Sequence, residues 1–292
     1  MMEKDDAVST VIAMMLVLGI IVTLIAIYSA TYLPGLKQQS EIEHSREVAS
    51  AFARFDSDIQ HVVWDKPNAR FSEPFSLGGG DVLLSPVRSS GSLTITRAEE
   101  PLVSVTIDNG AQTVRNASLV NISYVPSFTA WESQGYRWEY GFVAVTKDGV
   151  AVPQSSRYNT RNEALNETIQ RFVDLEPAGT DIEITVVNLT SRENEWFATG
   201  SGIATLGLNA TVSKKSIGNV NAIVFEDLAT PCLITLDPSI TGMRDHLAKI
   251  CNKAVSVGAV YVFDDLSQTH TLTFSTPVTV TLQTVNVEVS VC

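Results

Sequence analysis

The chain has 292 residues, with 32 acidic against 20 basic side chains and a formal net charge of −12. That balance argues against nucleic acid as a partner, because phosphate binding is driven by Lys and Arg replacing counterions, and a polyanion is repelled here. With 45% hydrophobic and 18% charged residues, the composition is that of a folded domain plus an apolar anchor.

The anchor comes first. No charged side chain occurs from Ala7 to Leu36, and Val11–Ile27 (VIAMMLVLGIIVTLIAI) is almost wholly aliphatic. A helix rises about 1.5 Å per residue, so about 20 apolar residues cross the hydrocarbon core. Its backbone polar groups are satisfied internally and enter lipid without penalty. A transmembrane helix is expected over 7–33, held by Val11, Ile12, Leu16, Ile20, Ile21, Leu24 and Ile27. A cleaved secretory signal fits less well, since its apolar core is only about 7–15 residues and small residues precede the cut. An ordinary signal anchor is the plain alternative.

The first dozen residues add detail. A short charged head (Glu3, Lys4, Asp5, Asp6) is followed by Val8-Ser9-Thr10-Val11-Ile12 and then the apolar run. This resembles the N-terminal segment of archaeal type IV pilins and pilin-like proteins, in which a charged leader precedes a Val-Ser-x-Val-Ile motif. Asp6 stands where that family usually has Gly or another small residue, Thr10 replaces a common Pro, and Ala13 a common Gly. The resemblance spans about thirty residues and implies a prepilin-type peptidase that cuts between Asp6 and Ala7, removing a leader of residues 1–6. It also implies a helix that stays in the bilayer or bundles with like subunits in a filament, with the bulk of the chain outside the cell. Lys4 before the helix and Lys37 and Arg46 after it define no inside flank.

Beyond Pro34-Gly35, expected to kink or break the helix at the membrane surface, residues 36–64 read as an amphipathic spine. Val48, Phe52, Phe55, Ile59 and Val62 recur at spacings of three and four, with Glu43, Arg46, Asp56 and Asp58 on the other face. Lys66-Pro67-Asn68 ends it. From Phe71 short β-branched runs alternate with turns: DVLLSPV, SLTITRA, LVSVTID, SLVNISYV, RWEYGFVAVT, IEITVVN and GIATLGLNATVS. Asp108-Asn109-Gly110 and Lys147-Asp148-Gly149 are hairpin signals.

Helices are expected in RNEALNETIQRFVDLEP, with Leu165, Ile169, Phe172 and Val173 on one face, and over Ser239–Val257, with Met243, Leu247, Ile250 and Ala254 aligned. The Thr/Val-rich tail supplies the last strands. The fold class is therefore α+β, mainly β: transmembrane helix, spine, and an antiparallel β-sandwich-like extracellular region with two short helical insertions. A β domain over 71–215 and a β-rich part with one helix over 216–292, within it or a small subdomain, complete the plan.

Chemistry-bearing motifs are sparse. His44, His61, His246 and His270 are scattered, Gly200-Ser201-Gly202 lacks the spacing of a nucleophile elbow, and Leu77-Gly78-Gly79-Gly80-Asp81 lacks the Lys-Ser/Thr of a phosphate loop. The acidic pairs Glu99-Glu100 and Asp264-Asp265 read as solvated turns, since calcium needs six or more oxygens. No metal and no cofactor is expected. Five sequons, Asn116, Asn121, Asn166, Asn188 and Asn209, are candidate glycosylation sites. Cys232 and Cys251 form a candidate disulfide or stay as buried thiols, and Cys292 is left over. Tyr136, Trp138 and Tyr140 alternate on one strand face, either as core or as the first place to seek a binding face. The expected function is a non-enzymatic, membrane-anchored surface protein or filament subunit. The alternative is a monomeric anchored binding or sensor module.

Overall fold

The computed structural model describes residues 3–79, 82, 88–98, 100–192, 196–228 and 242–292. One helical shaft runs from Glu3 to Asp65, as α1 (Glu3–Ile27), a five-residue π-turn (Tyr28–Tyr32) and α2 (Leu33–Asp65). Pro34, expected to break it, lies in the first turn of α2 instead. Proline has no N–H to offer the carbonyl four residues back, and its ring crowds that carbonyl. The widened turn absorbs the misfit, with Leu33 N–H donating to Tyr28 O five residues back. Lys66 closes α2 in the left-handed region at φ 52°, donating to Val62 O at 3.0 Å.

The apolar part of the shaft touches nothing else in the protein. Thirteen large apolar side chains between Val11 and Ile27 are 48–75% exposed. The helix is long and apolar enough to cross a membrane. By contrast, Val48, Phe52, Phe55, Ile59 and Val62 are all buried, so the α2 stripe packs on its own domain.

That domain is mostly β and contains two sheets. One has the order β4-β3-β12-β14-β10-β9, from β3 (Val103–Asp108), β4 (Gln112–Ala117), β9 (Val173–Ala178), β10 (Asp181–Ser191), β12 (Ile203–Asp227) and β14 (Thr269–Val291). Its axis is the antiparallel pair of β12, 25 residues long or about 80 Å, and β14. The first half of β12 also pairs β1 (Ala69–Ser76), and the first half of β14 pairs β13 (Ala259–Asp264). Between the pairs Val220–Val278 and Ala222–Thr273, Asn221 alone stands opposite Phe274–Pro277. Pro277, which lacks an N–H for the ladder, falls in this bulge.

The other sheet runs β11-β2-β5-β6-β7-β8, from β2 (Ser90–Arg97), β5 (Val120–Ser127), β6 (Gly135–Glu139), β7 (Phe142–Lys147), β8 (Val150–Pro153) and β11 (Phe197–Gly200). Both hairpin signals are turns: Gly110 has φ 93°, and Asp148 and Gly149 have φ 52° and 80°. The short helices are α3 (Arg161–Thr168), with a 3₁₀ turn to Phe172, and α4 (Gly242–Ala254). Thr160 caps α3 by accepting from Glu163 N–H at 3.2 Å.

Two expectations change. The pairing is not antiparallel throughout, because β10 lies parallel to β14 over Ile182–Ser191. The helix expected to run to Pro177 gives way at Val173 to β9, which pairs β10. Residue 216 lies inside β12, so the β-rich part over 216–292 shares the large sheet with the strands before it. Most of the DVLLSPV run lies outside the described residues.

Candidate functional site

The α2 stripe begins earlier than its apolar residues suggest. Lys37, Glu41, His44 and Ser45, one to three turns before Val48, are also buried. They form the joint where the shaft enters the domain. Both Glu41 oxygens are occupied. Oε1 accepts from the Ser89 hydroxyl, from Thr129 N–H at 2.9 Å and from the Thr129 hydroxyl at 3.1 Å, and Oε2 accepts from Ala130 N–H at 2.9 Å. Burial pushes this carboxyl up, but the hydrogen bonds from Ser89, Thr129 and Ala130 outweigh it and hold Glu41 below the ordinary carboxylate value.

One turn on, His44 Nε2 lies 2.9 Å from the Tyr124 hydroxyl, which donates to Leu77 O at 2.7 Å. A phenol has one proton, so His44 donates to Tyr124 and carries its own proton on Nε2. Burial is the main cause that lowers the imidazole below its ordinary value, and Nδ1 is enclosed without a hydrogen-bond partner. Ser45 Oγ meets the Tyr136 hydroxyl at 3.1 Å. Glycine makes the approach feasible: a Cβ on Gly79 would stand 2.4 Å from His44 Cβ, and one on Gly91 2.5 Å from Leu77 O. A carboxylate saturated with donors is a clamp, not a proton acceptor.

The aromatic stripe of β6 faces inward. Trp138 and Tyr136 are buried against α2, so of the two readings of this stripe the structure has the core. Trp138 Nε1 donates to Asp56 Oδ1 at 2.8 Å and its ring meets Phe55 edge-on at 6.5 Å. Tyr140 is half-buried in the β6–β7 turn, at φ 48°. Gln60 donates to Asp56 Oδ2 at 2.6 Å, and burial pushes Asp56 up to about 6.

The remaining sequence candidates are dispersed. His61 pairs with Asp65 at 2.7 Å on the outer side of α2, and His246 contacts Val173 O at 2.7 Å. His270 is buried between Tyr261 and Phe263 and is pushed down to about 4 by burial. Among the described residues no three of His, Cys, Asp or Glu converge as a metal site. Asp264 accepts from Leu266 N–H and Ser267 in the β13–β14 turn. Asn116 is exposed on β4, whereas Asn188 donates to Asn286 at 3.4 Å across the β10–β14 pairing and Asn209 accepts from Arg70 at 3.0 Å. Asn121 is half-buried on β5, and Asn166 Oδ1 on α3 accepts from Gly242 N–H. Cys251 is a buried thiol pushed up to about 12 by burial, while Cys232 lies outside the described residues. Asp6 and Ala7 lie within α1, ahead of the exposed apolar stretch.

The joint was missed in the sequence because its positions are polar. The signal was present: the three- and four-residue spacing runs back from Val48 through His44 and Glu41 to Lys37. A family model described as a family of unknown function (DUF7289) matches residues 7–227. No curated protein and no solved structure matches the chain.

Proposed function

The chain belongs to the DUF7289 family of unknown function, and from that premise we propose that it is a non-enzymatic, single-pass surface protein of the archaeal pilin-like kind. The carrying observation is the bare rod. Thirteen large aliphatic or thioether side chains over Val11–Ile27 lack any cover from the protein itself. Leaving them in water costs on the order of 20 kcal/mol, so a bilayer or a bundle of like helices covers them. The Glu41–His44 clamp then holds the β domain rigidly on the shaft, outside the cell.

Processing between Asp6 and Ala7 by a prepilin-type peptidase is part of the reading. The charged head of Glu3, Lys4, Asp5 and Asp6 ahead of the uncharged run from Ala7 supports it. Mass spectrometry of the mature amino terminus tests it: Ala7 is the expected first residue, and a retained Met1 or Met2 reduces the protein to a simple anchor. Electron microscopy of sheared surface material tests assembly, with filaments expected and only detergent-soluble monomer counting against them. A second reading, an anchored binding module that never leaves the bilayer, is favoured by one feature, the polar cleft beside Asp56.

A further inference from the structure

A cleft of about 340 Å³ opens beside the middle of α2. Asp56 and Gln60 line one side, and the loop from β8 to α3 and the end of the following 3₁₀ turn line the other. The volume falls within the range of small-molecule sites. Its polar lining includes Asp56, Gln60, Ser155, Arg157 and Arg171, with Phe142 and Val143 among the apolar backing.

The charges are segregated. Asp56 receives only neutral donors, Trp138 and Gln60. The charge of Arg171 favours the ionised carboxylate without cancelling the effect of burial, and Asp56 has no cation in direct ion-pair contact among the described residues. Arg171 lines the cleft, acts on Asp56 through its charge, and carries a planar fork of donors. Arg157 is paired with Glu167 and lies 5.6 Å over the Tyr158 ring, which fixes its place in the wall.

We infer that the cleft binds a small zwitterion, an α-amino acid or an equivalent head group, with its ammonium on Asp56 and its carboxylate on Arg171. A carboxylate matches the guanidinium fork, and the three donors of an ammonium match the oxygens of Asp56, Gln60 and Ser155. A simple anion meets the negative charge of Asp56, and a simple cation meets two guanidiniums. Only a molecule carrying both signs is matched at both ends. The inference rests on the binding-module reading and is independent of assembly.

Ionised Asp56 is the binding form. The groups facing it are Gln60 on its own helix, Trp138 from β6, Arg157 from the β8–α3 loop and Arg171 beyond α3. Affinity therefore rises as pH passes upward through about 6.

The test is calorimetric titration of the full-length protein in detergent micelles at about pH 7.5. The probes are the common L-α-amino acids, with acetate and methylammonium as half-ligands. At least one amino acid is expected to bind about tenfold or more tightly than either half-ligand, and to weaken about tenfold near pH 5. Asp56→Asn and Arg171→Met are each expected to weaken it by a similar factor, with circular dichroism unchanged, while Lys147→Met leaves it intact. Acetate binding as tightly as any amino acid, and lost in Arg171→Met, overturns the zwitterion and leaves ligand recognition standing. Absence of heat with every probe overturns the assignment, and unchanged binding in both cleft variants moves recognition elsewhere.

Discussion

Burial raises Asp56 from an ordinary 3.8 to about 6, and the sign of its effect on stability follows. The folded state holds the proton more tightly, so this side chain's contribution is full below about pH 4 and is lost as pH rises through 6. Two pH units amount to roughly 3 kcal/mol. Asp56→Asn is expected to match the parent protein near pH 4 and to melt at a higher temperature near pH 8, as read by thermal unfolding in micelles. Glu41 behaves oppositely: its hydrogen bonds hold it low, so its stabilisation is present above its unfolded value and fades as pH falls. Glu41→Ala strands the Thr129 and Ala130 amides, and an equilibrium urea titration near neutral pH is expected to show a loss of about 3 kcal/mol. Neither residue advertised this role. Glu41 and Asp56 resemble the solvated acids around them in the sequence, and only the domain packed over α2 distinguishes Glu41 and Asp56 from Glu43.

Elements with a local signature were legible. The α2 stripe shows a helical period, and the turns at Gly110 and Gly149 need positive φ. The two glycines at 79 and 149 separate local from tertiary demands. A Cβ at 149 meets nothing, so Gly149→Ala incurs only backbone strain, about 1 kcal/mol. A Cβ at 79 overlaps His44 within α2, so Gly79→Ala is expected to cost about 3 kcal/mol and to release the clamp, measured on the same denaturation curve. What the sequence hid were relations between distant segments. The parallel alignment of Ile182–Ser191 with Val280–Val289 has no local trace, and β9 was masked by a helical pattern that runs on into Val173. Even the π-turn was half visible: Pro34 announced a fault, but not that one widened turn absorbs it.

At the scale of the molecule, the match to the family stops at Asp227 while the large sheet does not. β14 lies between β12 and β10, and its removal bares both partners along most of their length. A chain truncated after Asp227 is expected to lose its β-sheet circular dichroism and aggregate, whereas a soluble, ordered product means that the first 227 residues form a complete core. The candidate site draws on the other sheet, whose β5 and β6 bring Tyr124 and Trp138 to α2.

The shaft runs from Glu3 to Asp65 without an unwound residue, and its upper half is gripped along its side by the sheets. Such a member has no swivel. Twisting the greasy end by a given angle turns the head by nearly the same angle, so neighbours that fix the azimuth of one also dictate which flank of the other looks outward.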